Sequence, residues 1–186
     1  TNKPQKMFKL ILLGPAGGGR TSLADILLGN SEHVGPLMES TRRSGVMDGR
    51  EIIVIDTPDL LGLSLGNSKR ALEALRSLQL TRPGPHAFLV VVRAPGSSTG
   101  INHDVAREIR ATLELFGDEA EGYIVPVLTC AERVGRRSTM DQLLEEDAGG
   151  LKKVLSLCEQ RPELVDIGPD CTCYYFATFS YVFLPV

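Results

Sequence analysis

One short stretch near the start of the chain constrains it most: a glycine-rich loop set between a strand and a helix. Phe8 to Leu13 is an apolar run that reads as a buried strand. Gly14-Pro15-Ala16-Gly17-Gly18-Gly19 follows, then Arg20-Thr21-Ser22. Leu23, Ile26 and Leu27 recur at helical spacing, and Gly29 stops the helix. Residues 14–21 fit the pattern G-x-x-x-x-G-[K]-[ST], with Arg20 in the place of the lysine. Glycines there let backbone N–H groups approach phosphate closely, and the helix that follows turns its positive dipole end toward the anion. The alternative is a glycine-rich strand–turn–helix corner that holds no ligand.

Arg20 sets the chemical question. Lysine is a compact point charge; arginine is longer, planar and forked. The charge survives and the geometry does not, so binding is expected to tolerate the change better than catalysis. Thr21 offers a hydroxyl to Mg²⁺. A second strand, Arg50 to Ile55, ends at Asp56-Thr57-Pro58-Asp59. This resembles the D-x-x-G element in which an Asp holds Mg²⁺ through water and the Gly N–H meets the γ-phosphate. Asp56 fits the first role; Asp59 replaces the glycine and is expected to bring negative charge toward the phosphate. Ser40 and Thr41 are the hydroxyls late in residues 35–43, and Thr41 is the candidate for a further Mg²⁺ ligand. A loop with no ligand is the alternative there.

The rest of the chain alternates strands and helices. Gly45 to Met47 and Arg50 to Ile55 read as strands about an Asp48-Gly49 turn. Ala71, Leu72, Leu75 and Leu78 mark a helix, and Ala87 to Val92 a central strand covered on both faces. Val105, Ile109, Leu113 and Phe116 mark a second helix ended by Gly117, and Tyr123 to Leu128 the next strand. Helical signals run from Ser138 to Cys158, and Cys173 to Ala177 reads as a last strand. The expectation is a three-layer α/β domain over residues 1–186, with a mostly parallel sheet of about six strands and no internal boundary.

Composition excludes several classes. The 186 residues are 42% hydrophobic and 23% charged, which is a globular balance. A net charge of −3 gives no basic footprint for nucleic acid, and no apolar run is long enough to span a membrane. Cys130, Cys158, Cys171 and Cys173 form no CxxC pair and have no histidine at zinc spacing, so they read as buried, reduced thiols of a cytosolic protein. A start without Met and an apolar end, Phe183-Leu184-Pro185-Val186, point to a domain excised from a longer protein.

Several stretches are more specific. Thr81-Arg82-Pro83-Gly84-Pro85-His86-Ala87-Phe88-Leu89-Val90 resembles the conserved box of the GIMAP family of immunity-associated GTPases. Gly49 to Pro58, Phe116-Gly117-Asp118-Glu119-Ala120 and Leu151 to Arg161 are similar to further family stretches, so the resemblance covers about residues 7–177. It implies a Ras-like P-loop GTPase fold with GTP or GDP and Mg²⁺ as ligands. It also implies nucleotide-dependent homo-oligomers or assemblies with other GIMAP-like domains, and a role in lymphocytes or host defence. Many members attach to cytosolic membrane faces through C-terminal segments. His86, at a strand entrance, reads as structural.

Departures from the family are as informative. The family's base-reading T-x-x-D element stands here as Thr129-Cys130-Ala131-Glu132, with Glu132 one methylene longer than Asp. Its later F-N-N-K element appears as Tyr174-Tyr175-Phe176-Ala177-Thr178, and residues 95–104, where some members carry a catalytic Arg, contain none. Two readings follow: a GTPase-like domain with weak or absent hydrolysis, and a pseudo-GTPase interaction module. An ATP-using P-loop kinase is a third, disfavoured by the family box and the lack of a kinase lid.

Overall fold

The computed structural model describes residues 7–29, 37–47, 49–62, 65–93, 105–130 and 163–166. Glu132, the 95–104 stretch, the expected helix over 138–158, the strand over 173–177, Cys158, Cys171 and Cys173 lie outside the described residues.

The element order is β1 (Phe8–Leu13), α1 (Arg20–Leu28), β2 (Thr41–Met47), β3 (Arg50–Asp56), α2 (Asn67–Leu80) and β4 (Ala87–Arg93). Then come α3 (Val105–Phe116), a 3-10 turn (Asp118–Tyr123), β5 (Ile124–Cys130) and β6 (Glu163–Asp166). The six strands form one sheet in the order β2-β3-β1-β4-β5-β6. Five run parallel, and β2 pairs antiparallel with β3 at the edge.

Alternation along the strands sends side chains to opposite faces. Leu10, Leu12, Ile52, Val54, Leu89 and Val91 pack with Leu23, Ala24, Leu27 and Leu28 of α1. Ile11, Leu13, Ile53, Ile55, Val90 and Val92 pack with Ile109 of α3 and, at the margin, Leu78 and Leu80 of α2. The loop after β1 thus leads to one face of the sheet, while the loops after its neighbours β3 and β4 lead to the other. The crevice opened by that divergence, at the carboxyl ends of the strands, is where parallel α/β sheets receive ligands.

Three sequence expectations are corrected. β2 begins at Thr41, four residues before the apolar signal, because its buried inward residue is Arg43, paired with Asp25 of α1 at 2.8 Å. In α2 the apolar positions Leu72 and Leu75 are 63% and 53% exposed, whereas Glu73, Ala74 and Ser77 are buried. The helix exists as expected, with a different face inward. β6 is a four-residue strand that the sequence reading did not contain.

His86 joins β4 to β1. Its Nδ1 accepts the Lys9 backbone N–H at 3.0 Å, the His86 backbone N–H donates to the Lys9 carbonyl at 2.8 Å, and its ring lies 5.4 Å from that of Phe8. Burial, then the Lys9 charge, lower its pKa. A folded value below the unfolded one means that this contribution is complete above about pH 6.5. It is lost as pH falls through the folded value, when Nδ1 takes a proton and ceases to accept. The thermal midpoint of wild type should therefore drop on acidification from about pH 7.5 to about pH 5 more than that of His86→Ala. Parallel pH curves for the two proteins would remove the assignment.

Candidate functional site

The carboxyl ends of β1, β3, β4 and β5 gather the loop Gly14–Gly19, the segment Asp56–Asp59, Arg93 and Thr129 on one edge of the sheet. Gly14 has φ 147°, and a Cβ there would lie 2.1 Å from the Val91 carbonyl oxygen. A Cβ on Gly18 would lie 2.8 Å from the same atom. Only glycine lets the loop rest on the backbone of the central strand, which explains the composition of residues 14–19 better than turn propensity does. Pro15 and Gly18 are buried, while Ala16 and Gly17 face solvent. The Gly18 N–H closes a turn on the Pro15 carbonyl at 3.1 Å. Gly19 is the N-cap of α1, with φ 99° and no capping side chain. The first N–H groups of a helix have no partner within it, so those of Arg20, Thr21 and Ser22 open onto the loop.

Arg20 does not extend into that cradle. Its Nη1 donates to the carbonyls of Thr57 at 2.5 Å and Pro58 at 2.7 Å. Burial lowers the Arg20 pKa, opposed by the charges of Asp56, Asp59 and Glu108. The cation of the loop thus latches onto the backbone of the second motif. Asp59 takes part as a nearby counter-charge, and its carboxylate accepts the Gly62 N–H at 2.9 Å. The carboxylate closes the turn over residues 59–62, a use that the expectation of a charge facing phosphate did not include.

Thr21 and Asp56, the two candidate Mg²⁺ ligands, lie side by side. The Thr21 hydroxyl donates to Asp56 Oδ2 at 2.9 Å. Asp56 is 3% exposed, and its Oδ1 is buried without a hydrogen-bond partner. Burial pushes its pKa up; the Thr21 hydrogen bond and the Arg20 and Arg43 charges pull it back. A buried carboxylate oxygen left orphaned beside a hydroxyl suits a hard cation such as Mg²⁺. Among the described residues no group of three or more His, Cys, Asp or Glu surrounds it, so phosphate and water would complete the shell. Thr41 stands opposite Asp56 in the β2–β3 register, with its hydroxyl donating to the Glu39 carbonyl at 3.3 Å.

Thr129, expected to open a base-reading element, is fully buried and donates to the Gly18 carbonyl at 2.6 Å. It holds the loop. Sequence reasoning missed Arg93, whose Nε donates to the Gly17 carbonyl at 2.7 Å. The signal was present: one charged residue closes the otherwise apolar run Ala87–Val92 at the end of the strand where the site lies.

Comparison with known proteins agrees with this architecture. The AIG1 family pattern matches residues 8–167. Immune-associated nucleotide-binding protein 5 of Arabidopsis thaliana is 31% identical over 159 residues, covering 82% of this chain and 50% of that protein. GTPase IMAP family member 8 of Homo sapiens is 29% identical, covering 75% of this chain and 20% of that protein. The chain thus spans about half the length, or less, of these curated relatives. In three dimensions it is similar to Toc33 from Arabidopsis thaliana in complex with GDP and Mg²⁺. That match has a TM-score of 0.63 and 20% identity, over 89% of this chain and 73% of Toc33. Era from Aquifex aeolicus bound to GDP·AlF4⁻ gives a TM-score of 0.66 at 16% identity, over 97% of this chain and 58% of Era. The fold is that of the P-loop GTPases, and the chain belongs to the AIG1 family, as its resemblance to the GIMAP GTPases implied.

Proposed function

We propose that residues 1–186 form one GIMAP-type domain of a longer cytoplasmic protein. The domain binds GTP or GDP with Mg²⁺, hydrolyses GTP weakly or not at all, and acts as a nucleotide-dependent assembly or signalling switch in immunity. The observation that carries this reading is the pairing of an intact glycine cradle with Thr21 and a buried, half-orphaned Asp56. The loop amides and the N-terminus of α1 would receive the phosphates. Thr21 would hold Mg²⁺ directly and Asp56 through water; the ion would supply charge neutralisation between the phosphates. The names of the relatives support a nucleotide and an immune setting. Toc33 and Toc159, for whose GTPase activity dimerization is important, support assembly.

One observation favours a second reading, a pseudo-GTPase interaction module. Arg20 already satisfies two backbone carbonyls, so phosphate must compete for it. The deciding experiment is calorimetry and thermal shift on protein stripped of nucleotide. Measurable heat and a raised midpoint with Mg²⁺-GDP or Mg²⁺-GTP are expected. Neither signal at about millimolar nucleotide, a level at which even a weak site of about −4 kcal/mol is half filled, would leave the second reading standing.

A further inference from the structure

Two side chains on adjacent strand ends grip the phosphate loop from outside. Arg93 and Thr129 are register partners on β4 and β5. Arg93 Nε donates to the Gly17 carbonyl at 2.7 Å, and the Thr129 hydroxyl to the Gly18 carbonyl at 2.6 Å. These are consecutive carbonyls in a run of three glycines, where no Cβ restricts rotation of the peptide planes. A trans peptide points its C=O and the following N–H to opposite sides. Fixing the Gly17 carbonyl therefore sets the Gly18 N–H, which meets the Pro15 carbonyl at 3.1 Å. Fixing the Gly18 carbonyl turns the Gly19 N–H away from the strand ends, toward the inside of the loop.

Arg93 also carries a buried Nη1 with no hydrogen-bond partner among the described residues. Its guanidinium is thus spent on the loop rather than on a described carboxylate. The contrast with Arg20 is direct: one arginine is bound to the second motif, the other to the loop itself.

We propose that Arg93 is a positioning residue of the phosphate loop. With Thr129 it forms an outer clasp that fixes the Gly18 N–H on the Pro15 carbonyl and orients the Gly19 N–H for an anionic phosphate. It acts through the Gly17 carbonyl and touches no ligand. The inference rests on the nucleotide reading above and deepens it by naming what shapes the loop.

The test compares wild type, Arg93→Met, which keeps much of the stem and loses every donor, and Arg93→Lys, which keeps a charged donor. Three quantities are read on the full chain: Mg²⁺-GDP affinity, amide hydrogen exchange of the nucleotide-free loop, and the nucleotide-free thermal midpoint. Arg93→Met should bind GDP about tenfold more weakly, the effect of one lost hydrogen bond to a charged group. Its Gly18 and Gly19 amides should exchange faster while the midpoint stays near that of wild type, and Arg93→Lys should recover most of the affinity. Affinity and loop exchange unchanged in Arg93→Met would overturn the clasp. So would a fall in affinity and midpoint together in both variants, which would make Arg93 scaffold only. If wild type binds no GDP, the nucleotide reading fails, and the exchange comparison still decides whether the clasp exists.

Discussion

Arg20→Lys should bind Mg²⁺-GTP about ten- to a hundredfold more tightly than wild type while still releasing phosphate slowly. In wild type the carbonyls of Thr57 and Pro58 hold Nη1 of the guanidinium through charge-assisted bonds, so a phosphate competes with them for that group. Lysine, shorter and unforked, is not held to both carbonyls and is free to face the loop. The nucleotide-free variant should melt lower, since the latch between the loop and the second motif is gone. Turnover is a separate matter. It depends on stabilising charge that develops only in the transition state. An arginine supplied to that charge is worth about 10³–10⁵ in rate, and residues 95–104 contain none. Single-turnover phosphate release with protein in excess is the measurement. Rapid release by wild type would refute the proposal of weak hydrolysis. Rapid release by the lysine variant alone would make Arg20 the principal lesion. Equal affinity in the two proteins would show that the latch does not compete with phosphate.

Asp56→Asn should have the second large effect, with opposite signs on binding and on stability. Removing a carboxylate that holds Mg²⁺ through water typically costs about 10–100-fold in metal affinity. Nucleotide binding should lose most of its dependence on Mg²⁺. The nucleotide-free protein should gain stability, because burial is the largest influence on Asp56 and raises its pKa. A folded value above the unfolded one means that the folded state holds the proton more tightly. The associated stability is full below the unfolded value of about 3.8 and is lost as pH rises through the folded value. Asparagine has no such loss, so the variant should pull ahead of wild type as pH climbs from acid to neutral. A variant that melts below wild type at neutral pH, or that keeps the full Mg²⁺ dependence, would refute the role given to Asp56.

The parts of the fold legible in the sequence were those where apolar residues coincide with burial. β1, β3 and β4 each contain a buried apolar run, and the sequence places each within a residue of its observed ends. Helix α3 showed its inward face through Ile109, and Gly117 ended it as expected. Reading failed where polar groups are buried for pairing. Arg43 enters the interior because Asp25 meets it, so β2 began out of sight of any hydrophobic pattern. Glu73 enters because it accepts the Ser40 N–H, and α2 turned a different face inward. The site divided along the same line. Gly14–Thr21 and Asp56 carry local signatures and are legible as candidates from their spacing alone. The partners of Arg20 lie 37 and 38 residues away, and that of Arg93 lies 76 residues away, distances over which spacing carries no information.

The buried bond from the Ser40 N–H to Glu73, 2.7 Å long, has a mechanical meaning when taken with the Arg76–Glu39 pair at 3.2 Å. It gears the strand entering the sheet at Thr41 to the helix that follows the second motif. Arg70 of that helix also holds the Gly62 carbonyl, so the turn over residues 59–62 is on the same gear. The turn over residues 59–62, α2 and the start of β2 are thus joined by side-chain bonds in one connected set. Among the described residues that set ends on the edge strand β2, where Arg42, Ser44 and Val46 face solvent.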